Sequence, residues 1–198
     1  PTIGMVGLLN NLEEKMTMNF KKAGDIIYLV GESRNDINSS EYLHKILGEE
    51  FSPAPYFDLD EEFNMQQAVH SLIKNKIIVS AHDVSEGGLF IALVECGFNG
   101  GFGFDTVERT LGIRKDAYWF GEAQGRVVVS TDKMNKHALA DMLQLMNVPF
   151  SEVGCVTANE VIVDNENWGR INEWKCKYDD AISNLLKAEE AESALTAI

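Results

Sequence analysis

The chain has 198 residues, 45% of them apolar and 9% aromatic, which is enough to build one good-sized hydrophobic core. Its formal charge is −14, from 31 acidic and 17 basic residues, an excess that disfavours nucleic acid and anionic membrane surfaces as partners. An anionic small molecule is compatible with that field where local donors or a metal ion offset it.

Residues 1–24 read as an opening segment, Gly-rich and apolar over Pro1–Asn11, and the start at Pro1 is expected to mark an internal boundary of a longer protein. The run Asp25–Gly31 is short, β-branched and closed by glycine, as a buried strand is. Ser39–Leu47 has a helical pattern with Ser39 or Ser40 as N-cap and Gly48 as its stop. Pro53 and Pro55 forbid a helix over Phe51–Tyr56. Asp60–Lys74 is predicted as an amphipathic helix presenting Phe63, Gln67, His70 and Ile73, with Asp60, Glu61 and Glu62 at the positive end of its dipole. The acidic cluster Asp58–Glu62 could hold a divalent cation, but a solvated helix start is the better explanation of it.

Ile77–Ala81 reads as a second buried strand, and Gly87–Phe98, apolar nearly all round, as a core helix. Gly100–Thr106 and Arg126–Thr131 follow as strands and Lys133–Met146 as a helix. Val148–Val156 with Glu160–Val163 looks like a closing hairpin, Tyr178–Lys187 a last helix, and 188–198 a frayed tail. Several neighbouring strands are joined too closely for crossover helices. The expected fold is therefore α/β in the α+β sense, one domain over 25–187 with helices packed on a mixed sheet.

Cys96, Cys155 and Cys176 are odd in number and far apart, with no Cys-x-x-Cys pair. They provide neither a zinc site nor a redox pair, and free thiols suit a reducing compartment, so a cytoplasmic location is expected. No apolar run reaches the roughly 18 residues of a membrane span.

Two segments carry candidate chemistry. In Val79–Leu89 a strand ends in polar residues and a Gly-Gly pair opens an apolar helix. Glycines there let a ligand approach the backbone, and free N–H groups of Gly87 and Gly88 with the helix dipole would bind an anion. The plainer reading is a tight turn in which Ser85 caps the helix. Asp83, at a strand's C-terminal end, is either a ligand contact or a turn cap, and adjacent His82 points to the opposite face. The second segment is Trp119–Val129. Glu122, Gln124 and Arg126 alternate, so in an extended chain they share a face able to grip a phosphate or carboxylate. The alternative is a surface Glu122–Arg126 ion pair. The Trp168–Tyr178 region reads as packing.

His82-Asp83-Val84-Ser85-Glu86-Gly87-Gly88-Leu89 resembles the C-terminal-domain motif of the aminoimidazole-ribonucleotide-synthetase-like superfamily. Phe120–Arg126 is similar to a Ser-Glu-Ser-Gln-Ser-Arg segment found in one member family, the synthetase subunit of phosphoribosylformylglycinamidine synthase, with Gly121, Ala123 and Gly125 in place of the serines. Pro1–Leu9 and Pro55–Asp60 also match, so the likeness runs over 1–163.

That resemblance implies a C–N ligase of purine biosynthesis. The intact enzyme would use ATP and Mg²⁺, with ammonia from a glutaminase subunit, to amidate formylglycinamide ribonucleotide. It further implies that this is the second of two homologous halves, that the nucleotide, metal and catalytic residues lie in N-terminal domains of the same protein, and that the isolated domain is inactive. Asp83, Ser85, Gly87, Gly88, Glu122, Gln124 and Arg126 become its candidate substrate or phosphate contacts. Two rivals are a sister enzyme, such as aminoimidazole ribonucleotide synthetase or selenophosphate synthetase, and a non-catalytic packing or docking domain.

Overall fold

Strand β1, Ile26–Val30, decides the layering: Ile27 and Leu29 enter one hydrophobic core while Tyr28 and Val30 enter another. A strand covered on both faces reads as a continuous apolar run, and this one is an interior strand of the sheet. The computed structural model describes residues 4, 6–9, 11–107 and 112–187. The other strands are β2 (Ser80–Asp83), β3 (Gly103–Thr106), β4 (Val127–Thr131), β5 (Phe150–Thr157), β6 (Glu160–Val163) and β7 (Glu166–Arg170). They form one seven-stranded sheet in the order β2-β4-β1-β5-β3-β6-β7. The β3–β6 pair is parallel and the other five pairs are antiparallel, so the sheet is mixed, as expected.

Helices cover both faces. On one side lie α2 (Gly88–Phe98), α3 (Lys115–Phe120) and α5 (Ile171–Asp179); α1 (Leu59–Lys74) and α4 (Lys136–Leu145) lie on the other. Helix α2 supplies Leu89, Phe90, Ala92, Leu93 and Val94 to its core, in keeping with a sequence apolar all round. Each large side chain buried this way contributes about 2 kcal/mol of hydrophobic free energy. Phe90 also meets Trp168 and Trp174 at ring distances of 5.3 and 5.2 Å, so those tryptophans do pack on the body.

Several expectations are revised. Val148–Val156 and Glu160–Val163 are not a hairpin, because β3 lies between β5 and β6 and pairs with both. Phe104 of β3 is fully buried there, and that burial outweighs direct pairing across a two-residue link. Helix α1 buries Met65, Ala68 and Leu72, leaving Phe63 exposed with Gln67 and His70. The small Ala68 lets that face seat closely on the sheet. The second strand begins at Ser80 rather than Ile77, so it contains His82 and Asp83. Ser39–Leu47 forms a π-helical turn, Tyr42–Ile46, in which Ser40 Oγ accepts from the Leu43 N–H. The last helix begins at Ile171, with residues 181–187 helical beyond it. β7 and α3 were not anticipated, and the tail 188–198 lies outside the described residues.

Asp58 caps α1, its Oδ1 accepting from the N–H groups of Asp60 and Glu61 at 3.0 and 2.9 Å. Asp58→Ala should therefore cost about 1 kcal/mol, read as a fall in the urea midpoint with an unchanged m-value.

Candidate functional site

Antiparallel pairing of β2 with β4 sets Asp83 opposite Val127. The turn that leaves β2 therefore lies beside the segment that enters β4, and the Val84 N–H donates to the Arg126 carbonyl at 2.9 Å. The two sequence segments singled out above are brought together by this one register.

In the turn, Gly87 and Gly88 both adopt left-handed backbone angles, with φ of 84° and 72°. Gly87 is the N-cap residue of α2, and Ser85 does not cap it through its side chain. The Gly88 N–H donates to the Ser85 carbonyl at 3.0 Å, and the Gly87 N–H donates to Glu122 Oε1 at 2.8 Å. The donors expected to face outward are thus used within the chain. Asp83 and Ser85 are exposed. His82 joins β2 to α2 through Nε2 and Glu95 Oε2, 2.9 Å apart. Its Nδ1 also lies 3.4 Å from Asp83 Oδ1, so the adjacent pair does touch, contrary to a strict opposite-face reading.

Residues 121–126 are not in strand, and Glu122, Gln124 and Arg126 do not share a face. Gly125, at φ 77°, breaks the alternation that would have aligned them. Gln124 is exposed and Glu122 half-buried, while Arg126 is only 3% exposed. The Arg126 guanidinium turns back on its own loop, with Nη2 donating to the Gly121 carbonyl at 2.5 Å and Nε to the Ala123 carbonyl at 3.3 Å. Burial lowers its pKa to about 10, opposed by Tyr118, Asp36 and Glu122, and it stays charged at neutral pH. Neither a surface ion pair nor an open anion clamp describes it. A Cβ on Gly121 would meet the Ala117 and Asp36 carbonyl oxygens at 2.4 and 2.5 Å, so the serine of the related pattern does not fit this backbone.

Two cavities open on these segments. One, of about 330 Å³, is lined by Asp83–Glu86, Glu122 and Gln124–Val127 with Glu62 and Met65. The other, of about 250 Å³, shares Glu62, Met65, Gln124 and Gly125 with it and extends to Arg34, Tyr56 and Glu61. Arg34 stacks on the Tyr56 ring at 4.0 Å and pairs with Glu61 at 2.7 Å. Acids outnumber arginines around both cavities, so an anionic ligand would need positive charge from elsewhere. No group of three or more His, Cys, Asp or Glu side chains among the described residues is placed to hold a metal ion, and Asp58 is occupied as a cap.

Sequence reasoning missed Arg34, Tyr56 and Glu41. The Glu41 N–H is the second donor to Glu122 Oε1, at 2.8 Å. A main-chain contact of this kind leaves no signature in residue type. Pro55-Tyr56 marked a connection but not its position beside the cleft.

Residues 22–164 match the family described as AIR synthase related protein, C-terminal domain. The chain belongs to that family. Among curated relatives of this C-terminal domain family, the chain is similar to the phosphoribosylformylglycinamidine synthase subunit PurL of Alkaliphilus metalliredigens. The two are 36% identical over 183 residues, which is 88% of this chain and 25% of the relative. The PurL subunit of Azorhizobium caulinodans is 34% identical over 166 residues, 84% of this chain and 23% of its own. The chain thus spans about a quarter of the length of these relatives.

Among solved structures, Thermotoga maritima PurL complexed with FGAR matches with a TM-score of 0.69 at 15% identity, over 81% of this chain and 29% of that one. The hydrogenase maturation protein HypE matches with a TM-score of 0.53 at 13% identity, over 75% and 52%. Those likenesses establish the shared domain fold, the mixed sheet with packed helices.

Proposed function

We propose that this domain is the AIR-synthase-like C-terminal part of a PurL-type synthetase. The longer protein would convert formylglycinamide ribonucleotide to formylglycinamidine ribonucleotide in the cytoplasm, with ATP, Mg²⁺ and ammonia from a glutaminase subunit. The carrying observation is the 36% identity to a PurL subunit across 88% of the chain. PurL structures from Thermotoga maritima in complex with FGAR and with ATP support the choice of substrate and nucleotide. The nucleotide and Mg²⁺ would be held by the rest of the longer protein.

In this reading the domain forms one wall of the substrate cleft. Asp83, Ser85 and Gln124 are exposed and would meet a ligand, while Gly87, Gly88, Glu122 and Arg126 frame it. With this lining acidic, the phosphate's counter-charge would come from the other wall. Ile46, Phe51, Phe57, Leu59 and Phe63 are all more than half exposed, and they supply apolar area on which the remaining domains can pack.

The test is turnover by the full-length protein. Formation of formylglycinamidine ribonucleotide from FGAR, ATP and ammonia is expected; activity only with a sister enzyme's substrate would overturn the reading. Gln124→Ala in that protein should raise KM for the ribonucleotide about tenfold, the loss of one well-placed hydrogen bond, with stability changed by less than about 0.5 kcal/mol. An unchanged KM removes Gln124 from the cleft contacts.

A second reading, a packing domain that touches no ligand, has one specific observation in its favour. Both glycine N–H groups of the turn are already engaged inside the chain. It predicts that Asp83→Ala, Ser85→Ala and Gln124→Ala all leave KM unchanged.

A further inference from the structure

We infer that Glu122 is a positioning residue whose carboxylate latches the Gly-Gly turn to the π-helical segment, with Arg126 as the anchor of the latch. The inference deepens the synthetase reading, because it concerns the same cleft.

A single oxygen carries the connection. Glu122 Oε1 accepts from the Gly87 N–H and from the Glu41 N–H, each at 2.8 Å. Gly87 opens α2, and Glu41 precedes the π-helical turn Tyr42–Ile46. Both donors are at the start of a helical element, where backbone N–H groups lack partners within the helix and a negative charge is favoured. Hydrogen bonds to an ionised carboxylate are shorter and stronger than neutral ones. Glu122 Oε1 therefore occupies the place that an oxygen of an external anion would take at Gly87.

The latch is held from behind. Arg126 donates to the carbonyls of Gly121 and Ala123, which bracket Glu122, so the loop cannot swing without breaking buried, charge-assisted bonds. Tyr42 stacks on Phe120 at 5.3 Å, two residues before Glu122, and closes the third side. π-Helical turns are uncommon, and the Glu122 bond fixes the residue that leads into this one. The latch thus sets the spacing between the turn and the π-helical segment before any ligand arrives.

The experiment uses the full-length protein with Glu122→Gln, Glu122→Asp and Glu122→Ala, read by backbone amide exchange in peptides covering 40–43 and 86–89, without substrate. Gln keeps an oxygen at the same reach but no charge; Asp keeps the charge but is one methylene shorter. Glu122→Ala should speed exchange at both peptides about tenfold, the loss of roughly one net hydrogen bond at each. Glu122→Gln should stay within about threefold of wild type at both, and Glu122→Asp should release at least one. In turnover, Glu122→Gln should keep KM nearer to wild type than Glu122→Asp does.

Protection unchanged in Glu122→Ala overturns the latch. So does the reverse order, Asp better than Gln in exchange and turnover, since charge facing a ligand would then matter more than reach. If Glu122→Ala fails to fold, the Gln and Asp pair decides. The exchange result does not depend on the substrate, so it stands even if the protein does not act on FGAR.

Discussion

Replacing Gly88 by alanine is expected to destabilise the fold by about 4 kcal/mol, from left-handed backbone strain added to overpacking against main chain. Gly88 has φ 72°, and a Cβ there would lie 2.7 Å from both Phe120 Cα and the Trp119 carbonyl oxygen. Neither neighbour is a side chain that could rotate away, so α2 would have to draw apart from α3. The rings between those helices, Phe90 and Phe120 at 6.2 Å, would separate with them. Urea unfolding should show the whole loss as a lower midpoint. A cost below about 1 kcal/mol would mean that the turn can shift as a unit and is not fixed by α3.

The same position shows how much of this molecule could be read from residue types. Gly87-Gly88 before an apolar run marks a glycine-requiring turn into a core helix, and that is what they form. The β-branched run of β1 and the all-round apolar α2 were legible because burial on every side leaves no polar face to confuse the period. Helix α1 was legible as a helix but not in its orientation. Phe63 dominates its apolar pattern, yet the protein leaves Phe63 exposed and seats Ala68 on the sheet. Sequence also could not show that β3 separates β5 from β6, since the pairing of strands distant in sequence has no local cue.

The candidate site divides along the same line. The two segments that form it were identifiable, but what each side chain does there was not. Period-two alternation aligned Glu122, Gln124 and Arg126 only on the assumption of extended backbone, which Gly125 violates. A buried arginine and an exposed one are identical in sequence, and here the side chain is buried against the Gly121 and Ala123 carbonyls of its own loop.

Arg126→Ala is the second large effect, expected at about 4 kcal/mol, because it strands two main-chain carbonyls and leaves a cavity where a long side chain was. Arg126→Met fills most of that volume without restoring donors and should cost about 3 kcal/mol. Arg126→Lys restores one donor group without the planar fork and should cost about 2 kcal/mol. The order Lys, Met, Ala separates loss of bonding from loss of packing, and urea midpoints measure it. If Met is as mild as Lys, the Gly121 and Ala123 carbonyls find other partners and the guanidinium is not their clamp. Because Arg126 fixes the backbone on either side of Glu122, the two should also couple. The double variant Glu122→Ala/Arg126→Ala should lose at least about 1 kcal/mol less than the sum of the single losses. Once the anchor is gone, the latch has little left to hold.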